Sequence, residues 1–200
     1  IGVLFQSVFT TAGFKSKGIT TFPYSIYIGI SALLGSVLGA QIAIDIKGET
    51  FNKILAIIMV MVVVFMALKS KYTQLDTVEK TTGKHLWLSI IIFFFVGVYG
   101  GFIQAGVGII MLFVLSSVNN ISLVKSNAIK VIVALIFTVS AVAVFAYNGK
   151  INWKLGLILA IGNSVGGWLA SRWSVNKGDV LVKKFLIVMV VIMAIKLWFF

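Results

Sequence analysis

The sequence contains no cysteine, one proline and one histidine among its 200 residues. The absence of cysteine excludes disulfides and thiolate chemistry. The single proline, Pro23, stands at the start of an apolar stretch, where its missing N–H is tolerated. The histidine, His85, stands beside Trp87 at the entrance to another apolar stretch, where headgroup contact is favoured over catalysis. With no paired carboxylates and no metal-ligand motif, the sequence predicts no enzyme, no metal site and no cofactor.

Acidic residues are also scarce. The five acids all fall at polar joints between apolar stretches, namely Asp45, Glu49, Asp76, Glu79 and Asp179. Cation carriers and proton pumps generally place carboxylates within their membrane spans. A cation substrate is therefore disfavoured, and no intramembrane carboxylate is available to carry protons.

Hydrophobic residues make up 60% of the chain and charged residues only 11%, which leaves too little polar surface for a soluble globule. The apolar stretches are separated by short polar joints and cover residues 22–44, 54–68, 86–99, 105–118, 122–147, 153–171 and 180–200. None alternates with a period of two, which argues against a barrel. The sequence predicts an all-α, polytopic integral membrane helical bundle.

The formal net charge of +12 is spread over nearly every joint rather than gathered in one patch. Basic residues at span ends fit membrane topology and anionic lipid headgroups, so a nucleic-acid partner is not predicted.

The sequence contains an internal repeat. The stretch KGETFNK at 47–53 recurs as KGDVLVK at 177–183, and further identical or similar residues share an offset of 130 or 131, including Gly18 with Gly149 and Gly35 with Gly166. We interpret residues 1–84 as the end of a first repeat and 85–200 as the second. The equivalent of 84–129 would then precede Ile1, so we expect the natural N-terminal helices to lie outside this chain. Duplicated halves with broken helices are typical of secondary transporters.

A glycine-rich segment, YGGFIQAGVGII at 99–110, interrupts the second repeat. Glycine costs about 1 kcal/mol relative to alanine in a helix interior. Two interpretations fit: one long tilted helix, or two half-helices that meet at an unwound segment. We favour the broken helix, because Gln104 places a polar amide at membrane depth and needs a partner there. An unwound segment would expose the N–H groups of a helix N-terminus, which is an anion site.

Other small residues are better explained by helix packing, because residues three or four apart allow two backbones to approach closely. These are Ser31, Gly35 and Gly39 in one span, and Gly162, Gly166 and Ala170 in its copy.

Lys130 lies about two turns into the span that begins near Ser122. A lysine at mid-span costs ~2.5–3.5 kcal/mol on insertion scales, so such residues usually face a cavity or a transport pathway. The alternative is that its long side chain reaches the headgroups. Asn127 lies one turn away and forms a polar stripe with Lys130. Backbone amides at a broken helix together with Lys130 favour an anionic substrate.

Together these features resemble the TauE/SafE sulfite exporter family. The likeness is strongest in YGGFIQAGVGIIML, SNAIKV, YNGKINWKLGLILAIG and GGWLASRW, which match the second half of the family in order and spacing. Many members have glycine in place of Gln104 and Val107. The first 84 residues resemble the end of the family's first half.

The resemblance implies a bacterial plasma-membrane carrier with about eight spans, which moves sulfite, sulfonates or related sulfur-containing or organic anions as an exporter or permease. By position, Gly100, Gly101, Gln104, Gly106 and Gly108 would form pathway backbone, and Asn127 and Lys130 would face it. The alternative function is a non-transporting membrane scaffold or assembly subunit.

Two features of organisation stay open in the sequence. If 86–115 crosses the membrane once, the repeats are parallel, as the family's four-span description has them. If it enters and returns as a hairpin, the repeats are inverted and the basic joints fall mostly on one side. The oligomeric state, including a homo-oligomer, is equally undetermined.

Overall fold

The computed structural model describes residues 1–19, 21, 23–46, 79–104 and 106–199, with side chains up to residue 176. Within these ranges the chain is helical. The helices are α1 (Gly2–Lys15), α2 (Tyr24–Asp45), α3 (Gly83–Phe102), α4 (Val107–Ser117), α5 (Leu123–Tyr147) and α6 (Trp153–Phe199). The predicted span at 54–68 lies outside the described residues.

Three of the described helices, α2, α3 and α5, are long and apolar enough to cross a membrane. Helix formation satisfies every backbone group within the segment, as hydrocarbon requires. Large apolar side chains point outwards from the bundle, among them Trp87, Phe95 and Ile161, which are 68%, 64% and 71% exposed. Such a surface fits contact with lipid rather than with water. The all-helical membrane architecture predicted from composition is therefore confirmed.

One boundary was predicted wrongly. The sequence indicated separate spans at 153–171 and 180–200, whereas α6 is continuous over 47 residues. The polar joint between them contains no proline, and Gly178 alone costs only about 1 kcal/mol in a helix. A change from apolar to polar residues does not itself end a helix.

Helices α2 and α3 run parallel and in very close contact. A Cβ atom on Gly35 or Gly39 of α2 would overlap the carbonyl group of Phe94 or Val98 of α3. In the opposite direction, a Cβ on Gly97 would overlap the Ala32 carbonyl. The Ser31 hydroxyl also donates to the Ile90 carbonyl at 2.6 Å. The predicted packing role of Gly35 and Gly39 is thus seen directly.

The equivalent small residues of α6 behave differently. A Cβ atom on Gly162 or Gly166 meets no described atom within 4 Å. Helix α1 contacts α6 through other positions, since Gly2 faces Asn163 and Gly13 faces Ser171. These contacts advance in the same direction along both chains, so α1 and α6 are parallel.

Helices α3 and α4 form an antiparallel hairpin. Asn119, just beyond α4, exchanges backbone and side-chain hydrogen bonds of 2.9 Å with Lys80 and donates to the Ser89 hydroxyl at 2.9 Å near the start of α3. At the other end, a Cβ on Gly100 would lie 3.3 Å from Val107 at the start of α4. The chain therefore returns towards the side from which α3 begins, as in the second topology considered above.

The core lies between α2, α3, α4 and α5. Its fully buried side chains include Ile28, Phe93, Met111, Val133 and Phe137, each with 0% exposure. This core fixes the connection between α3 and α4 against the middle of α5.

Candidate transport site

The described residues between α3 and α4, namely Ile103, Gln104 and Gly106, are non-helical. Helix α3 ends at Phe102 and α4 begins at Val107. Gly106 adopts φ +73° at the N-terminus of α4, a left-handed conformation that glycine adopts without a steric penalty. Gln104 adopts φ +63° as well, although it carries a side chain. A non-glycine residue held in this region carries local strain, which commonly marks functional sites.

Lys130 on α5 lies against the first turn of α4. A Cβ on Gly108 would stand 3.3 Å from Lys130 Cδ and 3.9 Å from its Nζ, so the absence of a side chain at Gly108 makes room for the lysine. No described carboxylate pairs with this ammonium; Glu79 pairs instead with Lys125, at 2.6 Å, near the start of α5. The lysine is half-buried.

The electrostatics of this contact are unfavourable without a counter-charge. The N-terminus of a helix carries about half a positive charge. In α4 the N–H groups of Val107 and Ile109 already bond to the Gln104 and Gly106 carbonyls, so the helix contributes its dipole. Lys130 adds a full positive charge beside Gly108. An anion placed there would accept hydrogen bonds from the ammonium and would relieve the repulsion.

Asn127 lies one turn before Lys130 on α5 and is also half-buried. Its Oδ1 is shielded from solvent and has no hydrogen-bond partner among the described residues. An unpaired buried acceptor costs about 1–3 kcal/mol. This oxygen is therefore a group that a hydrogen-bond donor, such as a hydroxyl or amino group of a bound molecule, could satisfy.

A cavity of about 450 Å³ opens beside the end of α3. Its wall includes Gly100, Gly101, Gln104 and Thr138. Gln104 Nε2 donates to Thr138 Oγ1 at 3.3 Å, which ties the non-helical connection to α5. Lys150, Asn152 and Asn163 add polar groups at the rim that α5 and α6 share.

The predicted pathway residues thus fall into two adjoining groups. Gly100, Gly101 and Gln104 line the cavity, whereas Gly108 contacts Lys130 and lies outside the cavity lining. Phe137 and Val107 pack beside the first group, since a Cβ on Gly100 would lie 3.0 Å from the Phe137 ring and 3.3 Å from Val107.

Two of the predicted residues have additional structural roles. A Cβ on Gly101 would overlap the Ser36 carbonyl, so this glycine also allows α2 and α3 to pack closely. Gly106 forms the N-terminal cap of α4. Neither requires a ligand to explain its conformation.

Sequence reasoning did not identify Thr138, which is 3% exposed and lines the cavity. A signal was available, because Thr138 and Ser140 are the only polar residues in the run 131–146. Ser140 and Ser36 share a hydrogen bond between α5 and α2. The middle of α5 is therefore tied by hydroxyl groups both to α2 and to the connection between α3 and α4.

The three long apolar helices define the class of the chain as a helical membrane protein. Comparison with known proteins gives the family: residues 1–197 match the model of the sulfite exporter TauE/SafE family. The chain belongs to this family.

Related proteins carry matching names. A "Probable membrane transporter protein ORF9" from Sinorhizobium sp is 24% identical over 194 residues, covering 97% of this chain and 74% of the relative. A "Probable membrane transporter protein" from Haemophilus influenzae is 25% identical over 171 residues, covering 86% of this chain and 66% of the relative. The "Probable membrane transporter protein YfcA" of Escherichia coli K12 is 23% identical over 164 residues, covering 82% and 60%. These names are those of transporters rather than enzymes. No solved structure matches the chain.

Proposed function

We propose that this protein is a secondary-active carrier of small anions, such as sulfite, organosulfonates or related sulfur-containing or organic anions, in the bacterial plasma membrane. The observation that carries the proposal is the contact between Lys130 and Gly108. It places a full positive charge at the N-terminus of α4 without a described carboxylate nearby. A positive site of this kind, within a helical bundle, selects anions.

The direction of the helices supports a duplicated, inverted architecture. With an offset of 131, α1 corresponds to the C-terminal part of α5. Phe14 at the end of α1 packs against Val124 and Ala128 at the beginning of α5, so the two helices run in opposite directions. At the same offset, α2 corresponds to the first part of α6. These two helices also run in opposite directions, because α6 is parallel to α1 and α1 is antiparallel to α5, with which α2 is aligned. Inverted repeats are typical of carriers whose substrate site lies near the bilayer midplane.

The anion's chemistry follows from the groups around Lys130. The ammonium of Lys130 is a donor and the dipole at the start of α4 is positive, and both match the oxygens of a sulfonate, sulfite or carboxylate. A small anion suits the short connection between α3 and α4. The glycine-broken helix is, in this proposal, the backbone part of the substrate site.

Thermal stabilisation of the purified protein by sulfite, sulfate, thiosulfate, sulfoacetate, taurine and simple carboxylates tests the function. A ligand at 100 times its dissociation constant stabilises by about 2.7 kcal/mol, which a melting curve resolves. We expect one class of these compounds to raise the melting temperature, and Lys130→Met to abolish the shift. Lys125→Met is the matched control, because Lys125 lies on the same helix but is paired with Glu79 at its surface end.

A stabilisation that survives Lys130→Met would remove Lys130 from the site. If no anion stabilised the unsubstituted protein or either variant, the scaffold function would be favoured, in which the glycines serve packing alone. Uptake into proteoliposomes under a substrate gradient then separates a carrier from a protein that only binds anions.

A further inference from the structure

One face of α5 joins the cavity to Lys130. Residues three or four apart in an α-helix lie on the same face, one turn above another. Starting from Lys130, this spacing selects Ala134, Thr138, Ala141 and Phe145. The last three line the cavity, whereas the lysine lies against the first turn of α4. This face of α5 therefore has one end in the cavity and the other at the lysine.

Two contacts show that the face is turned towards the connection between α3 and α4. Gln104 Nε2 donates to Thr138 Oγ1 at 3.3 Å. A Cβ on Gly108 would stand 3.3 Å from Lys130 Cδ. Thr138 and Lys130 are eight residues apart, which is about 12 Å along a helix. Ala134 lies midway between them, half-buried at the edge of the core, and so faces the same connection.

The residue midway between the two contacts has almost no side chain. Ala134 contributes only a methyl group to the interval between Thr138 and Lys130, whereas a larger side chain would extend across it. Ala141 does the same one turn beyond Thr138, in the wall of the cavity. Small residues thus alternate with polar ones along the face, which leaves room for a small molecule beside α5.

The groups at the two ends of the face favour anions. Lys130 stands at the inner end, and no described carboxylate pairs with it. Three residues earlier, Asn127 Oδ1 is shielded from solvent and has no hydrogen-bond partner among the described residues. Lys150 stands at the outer end, in a cavity lining that contains no aspartate or glutamate. Positive groups at both ends attract anions and repel cations.

We propose that this face of α5 is the anion pathway between the cavity and Lys130, and that Ala134 and Ala141 line it. The proposal rests on the anion carrier proposed above and adds the route by which the anion reaches Lys130. The cavity is the outer part of this route, on the side of the membrane where α5 ends. The interval beside Ala134 is its inner part.

Charge-selective labelling of a single cysteine tests the route. The sequence contains no cysteine, so an introduced thiol is the only one in the protein. Purified Ala134→Cys is treated with two methanethiosulfonate reagents of similar size, one with an ethylsulfonate group and one with an ethyltrimethylammonium group. Each rate constant is divided by that of the same reagent with free 2-mercaptoethanol, which removes the intrinsic difference between the reagents. The result is the ratio of the two normalised rates.

We expect the anionic reagent to react with Ala134→Cys about tenfold faster than the cationic reagent, because Lys130 lies one turn away. Addition of Lys130→Met should reduce this ratio to about one. Both reagents attack the same thiolate, so a change in its ionisation alters both rates and leaves their ratio unchanged. Ala141→Cys should also react, with a weaker preference, since it lies farther from Lys130 along α5.

Val139→Cys is the matched control, because Val139 belongs to the same helix but is 50% exposed on the outside of the bundle. Its thiol would face lipid or detergent, from which both charged reagents are excluded, so it should react with neither. A melting curve of each variant before labelling identifies any that has lost its fold.

Absence of reaction at both Ala134→Cys and Ala141→Cys in folded protein would overturn the proposal. A ratio at Ala134→Cys that Lys130→Met does not change would overturn it too, as would equally fast reaction at Val139→Cys. The labelling needs no transport substrate. Charge-selective labelling without stabilisation or uptake of any anion would leave the anion-selective pathway standing while refuting the carrier. Stabilisation by an anion without labelling would refute the pathway alone.

Discussion

The side chain of Lys130 lies along Gly108, and this contact joins the middle of the membrane region to the start of α4. Because a Cβ at Gly108 would stand 3.3 Å from Lys130 Cδ, the glycine determines where the lysine can lie. A positive side chain beside a helix N-terminus is unfavourable by itself and becomes favourable when an anion joins them. The site is therefore described best by this pair rather than by the glycine segment as a whole.

Substitution of Gly108 by alanine should weaken anion binding without unfolding the protein. The new methyl group must displace the flexible lysine by a few tenths of an ångström. We expect anion affinity to fall roughly threefold to tenfold, which is about 0.7–1.4 kcal/mol. Isothermal titration with the anion found in the thermal screen measures this change. An unchanged affinity would show that the room beside Gly108 does not position Lys130.

Substitution of Gly97 by alanine should destabilise the contact between α2 and α3. The added Cβ overlaps the Ala32 carbonyl, which is backbone and cannot rotate away. Overpacking of this kind costs about 1–3 kcal/mol. Unfolding in a denaturant titration in detergent micelles measures the loss.

Gly162→Ala is the control for that prediction. A Cβ at Gly162 meets no described atom within 4 Å, and alanine is about 1 kcal/mol better than glycine in a helix. Equal destabilisation by the two substitutions would contradict the distinction between a packed and an open glycine.

Asn119 is expected to hold the hairpin of α3 and α4 closed. It is 0% exposed and bonds to Lys80 and Ser89 at 2.9 Å. Asn119→Ala removes the side-chain donor to the Lys80 carbonyl and the Ser89 hydroxyl, whereas the Lys80 N–H bond to the backbone of residue 119 and the Ser89 bond to the His85 carbonyl remain. We therefore expect a cost of about 1 kcal/mol. Hydrogen exchange of the amides at 79–89 should accelerate. Asn120→Gly is the control, because Asn120 has φ +54°, where glycine is accommodated readily; accelerated exchange in this control as well would argue against a specific role for Asn119.

The hairpin also predicts which loops share a side of the membrane. The absence of cysteine allows single cysteines to be introduced directly. Lys84→Cys and Ser122→Cys should react with an impermeant maleimide from one side, and Asn148→Cys from the other. Basic residues among the described ones concentrate on the first side, which the positive-inside rule places in the cytoplasm; they are Lys15, Lys17, Lys80, Lys84, Lys125 and Arg172.

Labelling in intact cells and in inverted vesicles distinguishes the two sides. If Lys84→Cys and Ser122→Cys were labelled from opposite sides, α3 and α4 would together cross the membrane once, and the antiparallel hairpin would be wrong.

The sequence predicts the existence of the spans better than the contacts between them. Helices α2, α3 and α5 follow from apolar runs, because hydrocarbon allows no other way to satisfy the backbone. The joint within α6 was misplaced, because polar residues can continue a helix beyond the span that precedes them. The close approach of Gly35 and Gly39 to α3 was predictable from their spacing.

Only some of the site residues could be predicted from the local sequence. Lys130 stands out as a charge within an apolar run, but nothing in the spacing of the sequence links it to Gly108. The contact between Lys130 and Gly108 depends on how α5 packs back along α4 after the turn that joins them. Thr138 was missed for a similar reason, since one hydroxyl in an apolar helix can bond to its own backbone as well as face a cavity.

The pairing of α1 with α6 has a consequence for biosynthesis. Gly13 of the first described helix rests against Ser171 of the last one, and Ile1 lies against Gly156. At roughly 5–20 residues per second, α1 is made about 8–30 s before its partner leaves the ribosome. During that interval the face of α1 that later meets α6 must be covered by other groups, so this helix contact is completed only late in synthesis.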